Sequence, residues 1–586
     1  MAPFETLPAA RRAAVIAVLC LMLAISLCAA TTVVALAGLG QLSSKVQIGR
    51  VPGWLWYYRG DPTLQEWMRR GVGIAVLAHA AVIAALARKR PKSLHGDARF
   101  ASSTEIRRAG LRERDGVILG AAGGRLLRAG GRGHVFVCAP TGSGKSSGII
   151  IPTLLSYQSG AVVLDIKGEC WRQTAGLRQS IGQKVWLFEP FAEHGRTARW
   201  NPLGHIDRED PQQTFDVLQR VATILFPDHE GATEGFWNLA GRNAFIGVAL
   251  LVTATSDRPL TLGEINRWFA DIDLAETIKR RIEGMAKQGA PLSEACKAAL
   301  LNFCGNSEAV FGSIRLTVTT RLQAWSNPLV DAATSQSDFD LSRLREDPAT
   351  LYLCVAPGDL VRAAPIFSLL VELLLDHICR RHPVTQEAQP LLVLLDEFPS
   401  LGRLSVLAAS FAWIGSYGVR LVCVVQNLGQ LRAQYKEAAQ AIHGNCDLQV
   451  YFAPNSFEDA QSISNLMGWH GQKATSRSRP SGLASGRRSQ SESEQRRALM
   501  LPDELMRMPR DRLIIFARGF APIQGRWLKA WKLRAFRRRI SPPPHIPARA
   551  PMRTSAATTS RSPTGVPSAA QSRMRQRAYG REARDE

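Results

Sequence analysis

The chain has 586 residues, with 73 Lys and Arg against 49 Asp and Glu, a formal net charge of +24. That length exceeds what one core supports, so two or three domains are expected, and the cation surplus excludes an acidic solvating protein while favouring nucleic acid, acidic headgroups or an acidic protein surface as partner. Ten cysteines stand singly without a CxxC pair, which excludes a disulfide scaffold and a zinc-finger class and leaves packed, reduced thiols.

From Ala13 to Leu39 the chain is apolar and uncharged, longer than the roughly 20 residues a bilayer crossing needs. A signal peptide is the alternative, but a second apolar stretch, Val72 to Ala87 with His79 inside it, follows. Arg11 and Arg12 precede the first run, and Arg88, Lys89, Arg90 and Lys92 follow the second. Cations at both outer ends predict a membrane hairpin with both termini in the cytoplasm. Residues 41–71 then form a small external loop. Its Trp54, Trp56, Tyr57, Tyr58 and Trp67 suit either an interfacial belt or a packed cluster.

From Ser93 the pattern becomes that of an α/β domain. Gly123-Gly124 and Gly130-Gly131 bracket a hairpin-like segment. Val135-Phe136-Val137-Cys138 then reads as a buried strand, Ala139 to Ser147 as a glycine-containing turn, and Gly148 to Leu155 as a helix. This is the setting in which successive backbone N–H groups wrap a polyphosphate. Thr141, Gly142, Ser143, Gly144, Lys145, Ser146 and Ser147 are the expected binding residues for ATP. Gly142 and Gly144 permit the tight backbone, Lys145 reaches the β- and γ-phosphates, and the Ser146 hydroxyl is a Mg²⁺ ligand. Ala139 stands where the usual pattern has its first glycine.

Further strands are expected at 161–165, ending in Asp165-Ile166-Lys167-Gly168-Glu169, and at 185–188. Residues 205–334 carry helical periodicity and read as an all-α insertion. Strands resume at 350–355, and 366–378 is a helix. Leu391 to Leu395 is a doubly buried strand ending in Asp396 and Glu397. Asp396 is placed to hold Mg²⁺ through water and Glu397 to polarise an attacking water. The strand 420–425 ends in Gln426, an amide placed to sense a γ-phosphate. Residues 471–497, rich in Ser, Arg and Gly, read as a mobile surface loop, and 513–516 as a strand. Beyond residue 536 a disordered basic tail is expected.

The order of these pieces resembles TraG-type coupling proteins of type IV secretion and conjugation. The residues that carry the resemblance are Leu94-His95-Gly96-Asp97-Ala98-Arg99-Phe100, the phosphate loop, Asp165 to Glu169, Trp200-Asn201-Pro202-Leu203, Ser335 to Asp340, Leu395-Asp396-Glu397-Phe398, Ser416 to Arg420, Asn445-Cys446 and Leu501-Pro502-Asp503-Glu504. The resemblance implies a RecA-like P-loop NTPase domain (93–204 and 335–535) with an inserted all-α domain. The N-terminal anchor (1–92) would hold it in the bacterial inner membrane as a multi-pass protein, soluble domain in the cytoplasm. It implies a homo-hexamer that delivers relaxase-bound single-stranded DNA to the secretion channel components. In some relatives an arginine acts in trans near the glutamine strand, and Arg420 is the nearest candidate here. Delivery of effector proteins and a DNA pump of the FtsK/HerA kind are the alternatives. A scaffold without catalysis would be expected to lack Lys145 or Glu397, and both are present.

Overall fold

The computed structural model describes residues 9–42, 47–87, 94–228, 231–255, 258–382, 390–478 and 489–548. It divides into two compact units, one up to Gly96 and one from Asp97.

The first unit contains helices Ala9–Gly38, Val51–Tyr57 and Pro62–Ala87. The two long helices run antiparallel, and small residues set their approach. Gly38 lies on the Trp67 ring, where a Cβ would come within 2.2 Å of it, and Gly71 lies on the Thr31 carbonyl. Farther along, Ser26 Oγ and His79 Nε2 share a 3.1 Å hydrogen bond. The rings of Trp54, Tyr57 and Tyr58 pack together at 4.9 to 5.3 Å. Among the described residues, the helical stretch with the length and apolarity to cross a membrane is Thr233–Ala254, over half buried within the second unit. The described N-terminal apolar stretch, Met22–Gly38, is shorter. The described residues therefore do not by themselves make a double crossing. The cations expected to orient it, residues 88–92, lie outside them.

The second unit is organised by an eleven-stranded sheet. Its strands in chain order are β1 (Val117–Ala122), β2 (Arg125–Ala129), β3 (Val135–Cys138), β4 (Ala161–Ile166), β5 (Lys184–Phe188), β6 (Ala349–Val355), β7 (Leu391–Leu395), β8 (Val419–Val425) and β9 (Leu448–Phe452). A separate ribbon, β10 (Trp469–Ser478) and β11 (Ser489–Ala498), precedes β12 (Arg512–Ala517) and β13 (Ile523–Arg526). The spatial order is β2-β1-β13-β12-β9-β3-β8-β7-β4-β6-β5. From β9 to β5 every pairing is parallel, and from β12 to β2 every pairing is antiparallel.

The parallel strands are continuous apolar runs because both faces of the sheet are covered. Period-two alternation assigns each residue to a face. Phe136 and Cys138 enter one core; Val135 and Val137 enter the other. The first core takes in helix Leu360–Cys379 and the seven α-helices between β5 and β6. Those helices do not form a separate body. Val217, Phe226, Phe245 and Phe269 share one continuous apolar core with Val393 and Leu395 of the sheet. Burial of each such side chain contributes on the order of 1.5–3 kcal/mol, which argues against independent movement.

Two expectations need correction. Residues 471–497 are not a loop up to 478 and from 489: they pair residue for residue, from Trp469 with Ala498 to Ser478 with Ser489. The two strands are almost devoid of apolar side chains, so there is no apolar period for the sequence to display. The tail does not begin at 536. Phe536 is buried, Ile540 and Ile546 pack on the second core, and only residues 549–586 fall outside the described part. The strand β9, directly beside β3, has a weak sequence signal because it is a run of five residues within a polar neighbourhood.

Candidate functional site

Strand β3 ends at the carboxyl edge of the sheet, where open α/β folds bind ligands. Ala139 N donates to Val425 O at 2.9 Å, so the turn departs while still tied to β8. Gly142 and Gly144 then have φ of +76° and +92°, conformations other residues adopt at a cost. Ser146–Ile150 forms a π-helical turn, and Ile151–Leu154 continues it as α-helix. Gly148 N donates to Gly144 O at 2.8 Å, and Ser147 Oγ to the same carbonyl at 3.2 Å.

Two strands away, β7 ends in Asp396 and Glu397. Glu397 has φ +58° and ψ +44°. Holding a non-glycine residue there costs about 1–2 kcal/mol, and such strain clusters at functional sites. Lys145 Nζ lies 2.9 Å from Asp396 Oδ1 and hydrogen-bonds Glu397 Oε1. Strand β8 lies between and supplies Gln426. Its Nε2 donates to Glu397 Oε2 at 2.7 Å, and its Oε1 accepts from Thr141 Oγ1 at 2.9 Å. Thr141, Gln426, Glu397 and Lys145 thus form a closed chain of contacts that starts and ends on the loop.

The electrostatics follow from one cation facing two acids. Burial disfavours the charged Lys145, but Asp396 and Glu397 outweigh it and hold its pKa above the usual ammonium value. Asp396 is pushed up by burial, against the pull of Lys145, with Glu397 adding to the rise. These two directions conflict for a simple pair. They reconcile because two carboxylates outweigh burial at the one ammonium, while burial outweighs that ammonium at Asp396. Asp165, at the end of the adjacent β4, is also pushed up by burial, although Trp171 N donates to it at 2.8 Å. Asp396 raises it further.

The residues fit a magnesium nucleotide. Ser143 Oγ is buried without a hydrogen-bond partner in the loop, a polar atom that a phosphate could satisfy. Among the described residues no three His, Cys, Asp or Glu gather as a metal cage. Mg²⁺ does not require one, since it keeps waters and is held by one or two carboxylates plus phosphates. Ser146 and Asp396 are the residues of this chain that would hold it.

Arg420 is not at this site. It is fully buried at the opposite end of β8 from Gln426, where Nε donates to Gly133 O at 2.8 Å and Nη1 to Ala129 O at 2.7 Å. Burial lowers its pKa to about 10. A finger acting in trans needs an exposed guanidinium; this one fastens the turn before β3. The sequence placed it correctly at the strand's start but could not show which way it faced.

A loop after one strand, a carboxylate pair two strands over and a polar residue on the strand between define a P-loop nucleotide-binding protein of RecA-like strand order. Within that class, a model of the family described as type IV secretory system conjugative DNA transfer matches residues 99–554. The chain belongs to that family of type IV secretion coupling proteins. It is 30% identical over 530 residues to an Escherichia coli "Conjugal transfer protein TraG", covering 80% of this chain and 82% of that one. It is 30% identical over 500 residues to "Protein VirD4" of Rhizobium radiobacter, covering 82% and 71%. Among solved structures, the fold is similar to bacterial conjugative coupling protein TrwBdeltaN70 in complex with sulphate, with TM-score 0.57 and 18% identity over 77% of this chain and 99% of that one. It is also similar to plasmid coupling protein TrwB in complex with ADP and Mg²⁺, with TM-score 0.54 and 19% identity over 76% of this chain and 98% of that one.

Proposed function

We propose that this coupling protein is an ATP-hydrolysing motor that drives relaxase-bound single-stranded DNA into a type IV secretion channel. The observation that carries this reading is the contact chain from Thr141 through Gln426 and Glu397 to Lys145, with Asp396 beside it. Catalysis of phosphoryl transfer is largely positioning and electrostatics, and each of these residues has a part in it. The N–H groups of Gly142 to Ser147 cradle the phosphates. Lys145 turns from its two acids to the β- and γ-phosphates. Ser146 and Asp396 would hold a magnesium ion, whose charge would offset that of the phosphates. Glu397, freed of Lys145, takes the proton of the attacking water. Gln426 orients Glu397 and reports the state of the loop through Thr141. That plasmid coupling protein TrwB forms complexes with ADPNP and with ADP and Mg²⁺ supports a magnesium nucleotide as the ligand of this chain.

The anchor in this reading is the pair of helices Ala9–Gly38 and Pro62–Ala87 in the inner membrane. Met22, Ile25 and Leu77 point outward at 63, 57 and 72% exposure, apolar surface that lipid would cover. The helices between β5 and β6 are the all-α insertion. The resemblance to coupling proteins supports a homo-hexamer with a basic lumen that grips phosphates without reading sequence.

The test uses the full chain in liposomes and in mating cells. Lys145→Ala is expected to abolish ATP turnover and plasmid transfer. Intact turnover in that variant would overturn the loop assignment. Carbonate washing should leave the full chain in the membrane pellet, and its release would overturn the anchor.

A further inference from the structure

We propose that Trp527 is a positioning residue of the nucleotide site, forming the outer wall of the phosphate loop and fastening a C-terminal strap along the loop's helix. The inference rests on the proposed ATP site and adds to it a residue far away in sequence.

Trp527 is the first residue after β13, in the run Arg526-Trp527-Leu528-Lys529, where two cations flank two apolar residues. Its backbone N donates to Asp511 O at 3.0 Å and its Nε1 to Arg510 O at 2.6 Å. Two hydrogen bonds to one turn fix the indole's position and tilt. The ring then lies against the loop. A Cβ on Gly144 would be 2.5 Å from Cη2, and a Cβ on Gly148 would be 2.9 Å from Cε3. Both glycines therefore serve a close approach, and Gly144 also has the positive φ.

The chain continues along the same helix. Arg539 Nη1 donates to Leu155 O at 2.8 Å, just past the helix's last turn. The carbonyls of Ser541 and Pro542 reach Gly176 in helix Glu169–Ser180, where a Cβ would meet them at 2.8 and 2.1 Å. Residues 527–542 thus run from the first turn of the loop's helix to its end and onto the next helix. Phe536 and Ala530 anchor this strap in the second core.

A phosphate loop must hold several N–H groups convergent before the ligand arrives, and a loop ordered in advance binds more tightly because less ordering is left to do. On the inner side β3 and β8 supply that order. On the outer side the indole does. Trp527 contacts no reacting atom in this arrangement, so its effect falls on binding and not on the chemical step.

The test is equilibrium binding of Mg²⁺–ADPNP to the full chain in nanodiscs, by calorimetry. Trp527→Ala is expected to weaken binding about 5- to 20-fold, and Trp527→Phe, which keeps a ring on the glycines, by about threefold or less. Gly148→Ala should weaken binding where the indole is present and add nothing in the Trp527→Ala background. A 5-fluorotryptophan resonance that is lost in Trp527→Phe should shift on adding ligand. Unchanged binding in Trp527→Ala, an equal Gly148→Ala effect in both backgrounds, or a residue-527 resonance indifferent to ligand would each overturn the inference. Should Trp527→Ala fail to fold, Gly148→Ala combined with Trp527→Phe and the resonance decide it. A wild-type chain that binds no Mg²⁺–ADPNP would overturn the proposed ATP site itself, which is a distinguishable result.

Discussion

Gln426 Nε2 donates to Glu397 Oε2 at 2.7 Å, joining the ends of two adjacent strands, while the other end of the same amide accepts from Thr141 on the phosphate loop. One side chain therefore connects Glu397, the acid proposed to activate water, to the loop. Gln426→Ala removes both contacts but none of the groups proposed to hold phosphate. It should lower kcat about 10²-fold while leaving Mg²⁺–ADPNP affinity within about threefold. Steady-state turnover alongside calorimetric binding separates the two. A loss confined to affinity would place Gln426 in binding instead.

Glu397 is held in left-handed backbone and hydrogen-bonded by both Lys145 and Gln426. Glu397→Gln preserves size and one of the two accepted hydrogen bonds but removes the proposed base. Turnover should fall about 10²- to 10⁴-fold. Nucleotide binding should persist, so the variant should accumulate unhydrolysed ATP on single turnover. Full hydrolysis in this variant would assign the base elsewhere.

Arg420 carries a different expectation. Its removal leaves the carbonyls of Gly133 and Ala129 without their partners inside the fold. Each unsatisfied buried group costs about 1–3 kcal/mol, so Arg420→Met should destabilise the chain by about 2–5 kcal/mol. Turnover per folded molecule should be unchanged. A trans-acting finger would instead cost about 10³-fold or more in kcat at unchanged stability. Denaturant unfolding and turnover on the same preparation distinguish them.

The site was legible because its pieces are local. A glycine turn after an apolar strand, and acids after another, are short patterns whose chemistry requires those residue types at that spacing. Their meeting follows from parallel order, since β3, β8 and β7 all end on one edge. What stayed hidden depends on distant packing. Trp527 lies 383 positions beyond Gly144, and nothing in Arg526-Trp527-Leu528 signals contact with a loop. Arg420 reads the same in sequence whether it faces solvent or two carbonyls. The strands β10 and β11 pair along their length but carry almost no apolar side chains, so the apolar period on which strand recognition depends is missing.

Glu372 gives a pH-dependent prediction independent of catalysis. It lies in helix Leu360–Cys379 at 3% exposure, accepts from Val406 N at 3.0 Å, and is pushed by burial from 4.5 up to about 7. Between those values the folded chain keeps a proton that the unfolded chain has released. Stability from this group is therefore present below pH 4.5, declines as pH rises, and is gone above about pH 7. Gln cannot ionise and its amide oxygen can still accept from Val406. Glu372→Gln should match wild type at pH 4.5 and exceed it at pH 8 by about 1–3 kcal/mol. Guanidinium unfolding at both values measures the difference. A gap that does not change with pH would mean that Glu372 gains no proton on folding.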